Sequence, residues 1–379
     1  MIAFLSFAPV EFMGGAEKMM YKLATFIKKN EDVVVINADK SIANIYGSVV
    51  LKRKFPDRMT NLEKQNSLPK MKIHFADFIP YSNGWKNIHG QLKNARLIYI
   101  KYEVLELFFL FYFGGFSIIK KTIASLHSPL LYDTHHKLSD RLHTLIYSSK
   151  FNRMVLKQTR KIHVLNIRDE LYLREKCQLK NVIRIPNSLP LMSRQEKQKI
   201  HYDKNKLSLL FVGELSIRKG ADILIELIQN VSEDDYFFSV AGDGPMRNNL
   251  LNKCKQKKNW KYFGYLQEEK LKKLYAKNDV LFAPSRAEGL SLVMLEALSH
   301  GLKLIGYDTI LSDFSYLAKS SSKHNLVKEY ESILGKMYVD KGDRVSIQTK
   351  QKIKDYFVNN FSDKIILPII QEKLFAINT

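Results

Sequence analysis

The sequence predicts an α/β protein with two Rossmann-like parallel-sheet domains, on three observations. In the second half, strand-length apolar runs alternate with helical runs: Leu207 to Val212, Ala221 to Ile228, Tyr236 to Ala241, Pro245 to Lys255, Trp260 to Phe263, Glu268 to Ala276 and Val280 to Ala283. Strands alternating with helices require a parallel sheet with right-handed crossovers. The chain also opens as a βαβ unit, with Ile2 to Phe7 as a strand, Met19, Met20, Leu23, Ala24 and Ile27 as the inward helix face, and Asp32 to Ile36 as the next strand. Finally, 379 residues exceed what one core serves, and 45% apolar residues suffice for two. Pro186-Asn187-Ser188-Leu189-Pro190 breaks the chain between them, and polar residues 193 to 206 read as the linker.

In the first half, Gly14 and Gly15 end the loop after the opening strand, where a backbone can approach a phosphate closely. They do not form the three-glycine dinucleotide fingerprint, and a flexible turn is the alternative. Residues 40 to 80 show a basic cluster at Lys52-Arg53-Lys54 and no sustained period. They are either an acceptor-binding excursion or ordinary helix and loop. Val104 to Ile119 is strongly apolar but shorter than the roughly 20 residues needed to cross a bilayer. With Glu106 inside it and Gly114-Gly115 interrupting it, it reads as a buried helix or as one that also dips into lipid.

Arg96 to Ile100 and Thr122 to Leu126 read as strands, and His127 follows the second at the carboxyl end of the sheet, where such folds bind ligands. A satisfied or solvent-facing histidine is the alternative; His135 and His136 lie in a looser context. Leu142 to Lys157 reads as a helix, Lys161 to Leu165 as a strand, Arg168 to Lys176 as a helix and Val182 to Ile185 as a strand.

Val280 to Gly306 carries the most chemistry. It reads as strand, Pro-Ser-Arg turn, Glu288-Gly289, a helix from Leu290, a stop at Gly301 and another strand. The first-turn N–H groups of Leu290, Ser291 and Leu292 suit a phosphate. Glu288 and Glu296 are eight positions apart, so they can accept hydroxyl hydrogen bonds on either side of it. The plain alternative makes Glu288 a capping acid and Glu296 an interior helix residue.

The run E-G-L-S-L-V-M-L-E-A resembles the Glu-x7-Glu signature of family 4 retaining glycosyltransferases. Gly14-Gly15-Ala16-Glu17, Ile185-Pro186-Asn187, Leu209 to Lys219-Gly220 and Ala241-Gly242-Asp243-Gly244-Pro245 resemble further family segments in the same order. The resemblance implies the GT-B fold, two Rossmann-like domains facing a central cleft. It divides the chain into an acceptor-binding domain at 1–190, a nucleotide-sugar domain at 191–355 and a C-terminal helix at 356–379 that packs back on the first domain. It makes His127, Glu288 and Lys219 the catalytic set. Gly14, Gly15, Gly213, Arg218, Lys219, Gly264, Tyr265, Glu288, Gly289, Leu290, Ser291, Leu292 and Glu296 become the donor contacts. Glu296 would hold the ribose hydroxyls, Glu288 and His127 the sugar, and the Gly264-Tyr265 loop the base. The sequence departs from the pattern at Gly213-Glu214, where many relatives have Gly-Arg. An acid repels a diphosphate, so Glu214 points away or Arg218 supplies the charge.

There is no Asp-x-Asp pair to hold a divalent ion, so no catalytic metal and no cofactor are expected beyond a UDP- or GDP-sugar co-substrate. Lys219, Arg218 and the helix start would meet the leaving-group charge instead. Net charge is +22, and residues 1–190 carry 30 Lys and Arg against 15 Asp and Glu, a net +15. That half should be drawn to something anionic. With no zinc-finger spacing and no RRM-type box, a membrane surface is expected rather than nucleic acid. Two cysteines, Cys177 and Cys254, imply no disulfide framework, and no secretory signal is read at the start, so a reducing cytoplasm is expected. The expected activity is sugar transfer to a lipid-linked or cell-envelope glycan acceptor at the inner face of the plasma membrane. A nucleotide-sugar epimerase on the same fold and a non-catalytic binding relic are the alternatives.

Overall fold

Two parallel β-sheets, each wrapped by helices, make up the computed structural model, which describes residues 1–6, 15–38, 73–76, 83–101, 104–127, 144–191, 206–314, 318–321, 327–339 and 346–376. Gly14, the 193–206 linker except for Lys206, most of the 40–80 stretch, His135 and His136 lie outside the described residues. The chain divides into two units, one made of Met1–Asn187 and Leu367–Thr379, the other of Ser188–Ile366.

The first unit holds β1 (Ile2–Ser6), β2 (Val33–Ala38), β3 (Ile73–Ala76), β4 (Leu97–Lys101), β5 (Thr122–Leu126), β6 (Lys161–Val164) and β7 (Val182–Arg184). Their order is β3-β2-β1-β4-β5-β6-β7, parallel throughout. The chain starts in the middle, winds to β3 and then crosses to β4, so the order reverses between β1 and β4. Both faces of β1 are covered, and Ile2, Ala3, Phe4 and Leu5 are all buried, as a central parallel strand requires. The Gly15–Ile27 helix buries Met19, Met20, Leu23, Ala24 and Ile27 against it.

Two readings of this half change, and the expected interruption of a third element is found at Gly115. The helix expected over Leu142 to Lys157 is broken at Ser149, which caps a new helix, Lys150–Gln158, by accepting from the Asn152 N–H. The Arg168 to Lys176 helix is Ile167–Leu171 followed by a π-turn, Tyr172–Lys176. The Val104–Ile119 helix is kinked at Gly115, whose φ of 66° is left-handed, and it buries Leu107, Leu110, Ile118 and Ile119 while other faces stay exposed. Among the described residues no helix is long and apolar enough to cross a membrane.

The second unit holds β8 (Leu207–Val212), β9 (Tyr236–Ala241), β10 (Trp260–Gly264), β11 (Val280–Ala283), β12 (Lys303–Tyr307) and β13 (Ala318–Ser321), ordered β10-β9-β8-β11-β12-β13. Here too the chain starts in the middle, and the order reverses between β8 and β11. The Ile347–Phe361 helix packs on the Leu292–Ser299 helix. Gly301 makes that contact close: a Cβ there would come within 2.7 Å of the Lys350 carbonyl oxygen.

The C-terminal segment returns to the first unit from Leu367. Phe375 stacks on Phe4 and Tyr99 at ring distances of 5.8 Å, and Arg96 donates to the Phe375 carbonyl at 3.2 Å.

Candidate active site

In open α/β sheets, ligands bind beyond the carboxyl ends of the strands where the order reverses. In the second unit that point lies between β8 and β11. The segment after β8 carries Gly213, Glu214, Arg218 and Lys219, and the segment after β11 carries Arg286, Glu288 and Gly289.

These two segments are bonded to each other along their length. Gly220 takes a left-handed φ of 76°, and a Cβ there would sit 2.3 Å from the Pro284 carbonyl oxygen, so only glycine lets the backbones meet. The Arg286 N–H donates to the Arg218 carbonyl at 2.8 Å. The Arg286 guanidinium, 6% exposed, forks onto both oxygens of Asp222 at 2.7 and 2.6 Å and also donates to the Ile217 carbonyl. Arg218 donates to the Ala287 carbonyl at 3.3 Å.

On this frame the Lys219 ammonium donates to Glu288 Oε1, with the two side chains only 18% and 11% exposed. Burial alone would push the Glu288 carboxyl up. Lys219, Arg218 and the Ser285 hydrogen bond outweigh it, and the group stays below its ordinary range, ionised at neutral pH. Glu214, the departure from the Gly-Arg pattern, accepts from the Ser216 hydroxyl at 3.1 Å and pairs with Arg218 at 3.6 Å. The acid and the Arg218 cation therefore partly neutralise one another.

The helix expected from Leu290 runs Leu292–Ser299. Ser291 has an extended backbone and is the N-cap, with Leu290 buried before it; Ser291's side chain makes no capping bond to the first turn. The donors of that turn thus lie one to two residues later than expected. Further along, Glu296 Oε2 accepts from the Tyr275 hydroxyl at 2.7 Å, and Tyr275 stacks on His300 at 5.0 Å. Burial and the Glu296 carboxylate push the Tyr275 hydroxyl well up, so it stays a donor.

Glycines line the neighbouring strand ends. Gly242 sits so close that a Cβ would lie 1.8 Å from the Gly213 carbonyl oxygen. Its carbonyl accepts from Tyr262 at 3.0 Å and its N–H donates to the Gly264 carbonyl at 2.8 Å. Tyr265, just past β10, is half exposed, two strands out from β8.

Gly15 and His127 belong to the first unit. Gly15 opens the helix after β1, and Glu17 on that helix pairs with Lys101 at the end of β4, next to the point of reversal. His127 follows β5 within a hydrogen-bond chain that fixes its tautomer. His163 Nε2 lies 2.9 Å from the Ile185 carbonyl, an acceptor only, so the proton is there and His163 Nδ1 must accept. Ser125 therefore gives its hydroxyl proton to His163 Nδ1 at 2.8 Å, and accepts from Tyr99 at 2.7 Å and from His127 Nε2 at 3.0 Å. His127 Nδ1 is left as a bare acceptor, without a partner among the described residues. Burial first, then His163 and Lys101, lowers the His127 pKa to about 3, and burial lowers His163 to about 4. His127 is thus a neutral acceptor suited to a hydroxyl.

Asp222, Arg286, Tyr275, Ser125 and His163 were not singled out in the sequence. Ser125 and His163 left a signal, since each is a polar residue inside a buried strand and they are register partners across β5 and β6.

In sequence, the chain is 34% identical over 102 residues, 27% of its length, to an uncharacterized 41.2 kDa protein in the cps region of Klebsiella pneumoniae. It is 26% identical over 190 residues, 46% of its length, to the amylovoran biosynthesis glycosyltransferase AmsD of Erwinia amylovora. The matches span 28% and 52% of those relatives' own lengths. In structure, it is similar to HepE of Anabaena, crystallised with UDP and glucose, with a TM-score of 0.67 and 14% identity over 98% of both chains. Sucrose-phosphate synthase of Thermosynechococcus elongatus gives 0.71 and 14% over 98% of this chain and 97% of its own. The fold is accordingly GT-B. The part of the chain that holds Lys219, Glu288 and Glu296, residues 192–334, matches the family model described as glycosyl transferases group 1.

Proposed function

We propose that this chain is a glycosyltransferase of the family 4 retaining type, moving a hexose from a UDP- or GDP-sugar to a lipid-linked or cell-envelope glycan, with no metal. The observation that carries it is the Lys219–Glu288 pair at the point where the second sheet reverses, ahead of a helix start that the Ser291 side chain does not cap. The group 1 match over 192–334 supports it, and the UDP bound to HepE favours uridine as the base. AmsD and the cps-region protein, by their names, favour a surface polysaccharide as the acceptor. The relatives and solved structures named above do not favour an epimerase or a binding relic.

The donor diphosphate would lie against the amino end of the Leu292–Ser299 helix. Lys219, turning from Glu288 to the phosphate, meets the charge that grows on the leaving group, with Arg218 beside it. Glu288 then accepts hydroxyls of the sugar and Glu296 those of the ribose. The acceptor oxygen bonds to the anomeric carbon on the face from which the phosphate leaves. The bond to the phosphate breaks, and the phosphate takes the acceptor's proton.

The test is transfer from a panel of radiolabelled UDP- and GDP-sugars to a lipid extract in the presence of a chelator. One donor should label the lipid fraction, with the loss of about a hundredfold or more in Glu288→Ala. Transfer that stops with chelator would remove the metal-free part of the proposal. Transfer unchanged in Glu288→Ala, or no labelling from any donor, would overturn the site.

A further inference from the structure

We infer that Tyr275 is a positioning residue that acts through Glu296 and sets how sharply the chain selects a ribonucleotide over a deoxyribonucleotide. This rests on the proposed function, in which Glu296 accepts the ribose hydroxyls. Glu296 is half-buried in the middle of the Leu292–Ser299 helix. A glutamate reaches a ligand through several rotatable bonds, and freezing them on binding costs affinity. A carboxylate that is held in place beforehand avoids that cost.

Glu296 is held in this way. From the last turn of the Glu268–Ala276 helix, the Tyr275 hydroxyl donates to Glu296 Oε2 at 2.7 Å. Its other neighbour, the Val293 carbonyl oxygen, is at 3.5 Å and makes the weaker contact. A carboxylate accepts at about four lone-pair positions. The tyrosine uses one of them, which fixes the direction from which the two neighbouring hydroxyls of a ribose meet the group.

Tyr275 cannot follow the glutamate if it turns. It is 1% exposed, and its ring stacks on His300 with the centroids 5.0 Å and the planes 24° apart. His300 is fixed in turn. Its Nδ1 lies 2.8 Å from the Glu296 carbonyl oxygen, an acceptor only, so Nδ1 carries the proton and donates. The Tyr275 backbone is fastened by Asn278, which is fully buried. The Asn278 side chain donates to the Leu274 carbonyl at 2.8 Å, and its N–H donates to the Tyr275 carbonyl at 3.1 Å. A closed circuit results: the Glu296 carbonyl holds His300, His300 backs Tyr275, and Tyr275 holds the Glu296 carboxylate. Packing needs only the tyrosine ring, whereas the hydroxyl is what reaches Glu296, so Tyr275→Phe separates the two roles.

The experiment measures by calorimetry the Kd of whichever of UDP and GDP the full chain binds, and of its 2′-deoxy and 3′-deoxy analogues, with Tm alongside. The chains compared are the wild type, Tyr275→Phe, Glu296→Ala and the double variant Tyr275→Phe, Glu296→Ala. The wild type should prefer the ribonucleotide about tenfold or more, the value of one hydrogen bond to a charged group, and Tyr275→Phe should narrow this to about threefold or less. In the Glu296→Ala background, Tyr275→Phe should change the preference no further. His300→Phe keeps a ring face for Tyr275 but cannot donate to the Glu296 carbonyl; it should narrow the preference too, which supplies a second reading should Tyr275→Phe not fold. A tyrosine that served packing alone would lower Tm and weaken all three nucleotides alike. A wild type that binds neither nucleotide, or binds the three forms alike, would overturn the placement of the ribose and this inference with it. A wild type that discriminates, beside folded Tyr275→Phe or His300→Phe variants that discriminate as sharply, would overturn the inference alone. So would a Tyr275→Phe effect on the preference that persists without Glu296.

Discussion

Lys219 Nζ rests on Glu288 Oε1, joining the segment after β8 to the segment after β11 in the second unit. The cation suited to a donor's phosphate is therefore neutralised by the carboxylate suited to its sugar. On the proposed function, donor binding would exchange that contact for two others. Glu288→Gln keeps the shape and frees the charge, so UDP alone should bind several-fold more tightly while sugar transfer falls. Calorimetric titration checks the first and the transfer assay the second; weaker UDP binding would contradict the exchange.

The same pair has a stability consequence. Lys219→Ala leaves a mostly buried carboxylate without its cation, at a cost of about 2–4 kcal/mol in urea unfolding. The double variant Lys219→Ala, Glu288→Ala should recover part of this. A double variant as unstable as the sum of the two single ones would mean the residues are not coupled.

The Arg286 fork onto Asp222 holds the Glu288 segment over the Lys219 turn. Asp222→Ala strands a guanidinium that is 6% exposed, and should cost about 2–4 kcal/mol and weaken nucleotide binding. Asp222→Asn, which still accepts hydrogen bonds, should cost less. Nucleotide affinity unchanged in a folded Asp222→Ala would show that the fork supports the fold alone.

Three histidines make stability depend on pH in one direction. Burial holds His127 at about 3 and His163 and His300 at about 4 in the folded chain, below the ordinary 6.5. Above 6.5 both states leave them neutral, and the folded state keeps its full advantage. Below 6.5 the unfolded chain binds protons that the folded chain refuses. Stability should then fall by up to about 1.4 kcal/mol per pH unit for each histidine until pH approaches 4. Urea titrations between pH 7 and 5 check this, and His163→Gln should flatten the slope. Stability that rises on acidification over that window would refute the buried neutral state.

Two glycine substitutions should differ in sign. Gly242→Ala places a Cβ 1.8 Å from the Gly213 carbonyl at a φ of 131°, and should destabilise by about 3 kcal/mol or more. Gly90→Ala, in the Asn83–Asn94 helix with nothing within 4 Å, should stabilise by about 0.5–1 kcal/mol. Thermal unfolding of both variants measures the difference.

β5, β8, β9 and β11 were legible to the residue because strands buried on both faces read as mostly apolar runs, broken at most by Ser or Thr. β13, Ala-Lys-Ser-Ser, and β3 were not, because each is a sheet edge with no such run. The helix of the main motif was read two residues early: Leu290 fits the apolar period, but it is buried as part of the turn before the cap. At the site, Lys219 and Glu288 stood out by local pattern. Their pairing did not, since 69 positions separate them and only the reversal of strand order brings them together. Asp222 and Arg286, 64 apart, were hidden for the same reason. The tautomer of His127 depends on Ser125, Tyr99 and His163 across three strands, which no local pattern encodes.

The most direct test of the account is UDP binding, measured by calorimetry and by the shift in Tm, for the wild type and for Lys219→Ala. The wild type should bind UDP saturably and gain Tm with concentration by mass action, and Lys219→Ala should bind about tenfold or more weakly. A wild type that neither UDP nor GDP stabilises, or a Lys219→Ala variant that binds UDP as tightly as the wild type, would contradict it.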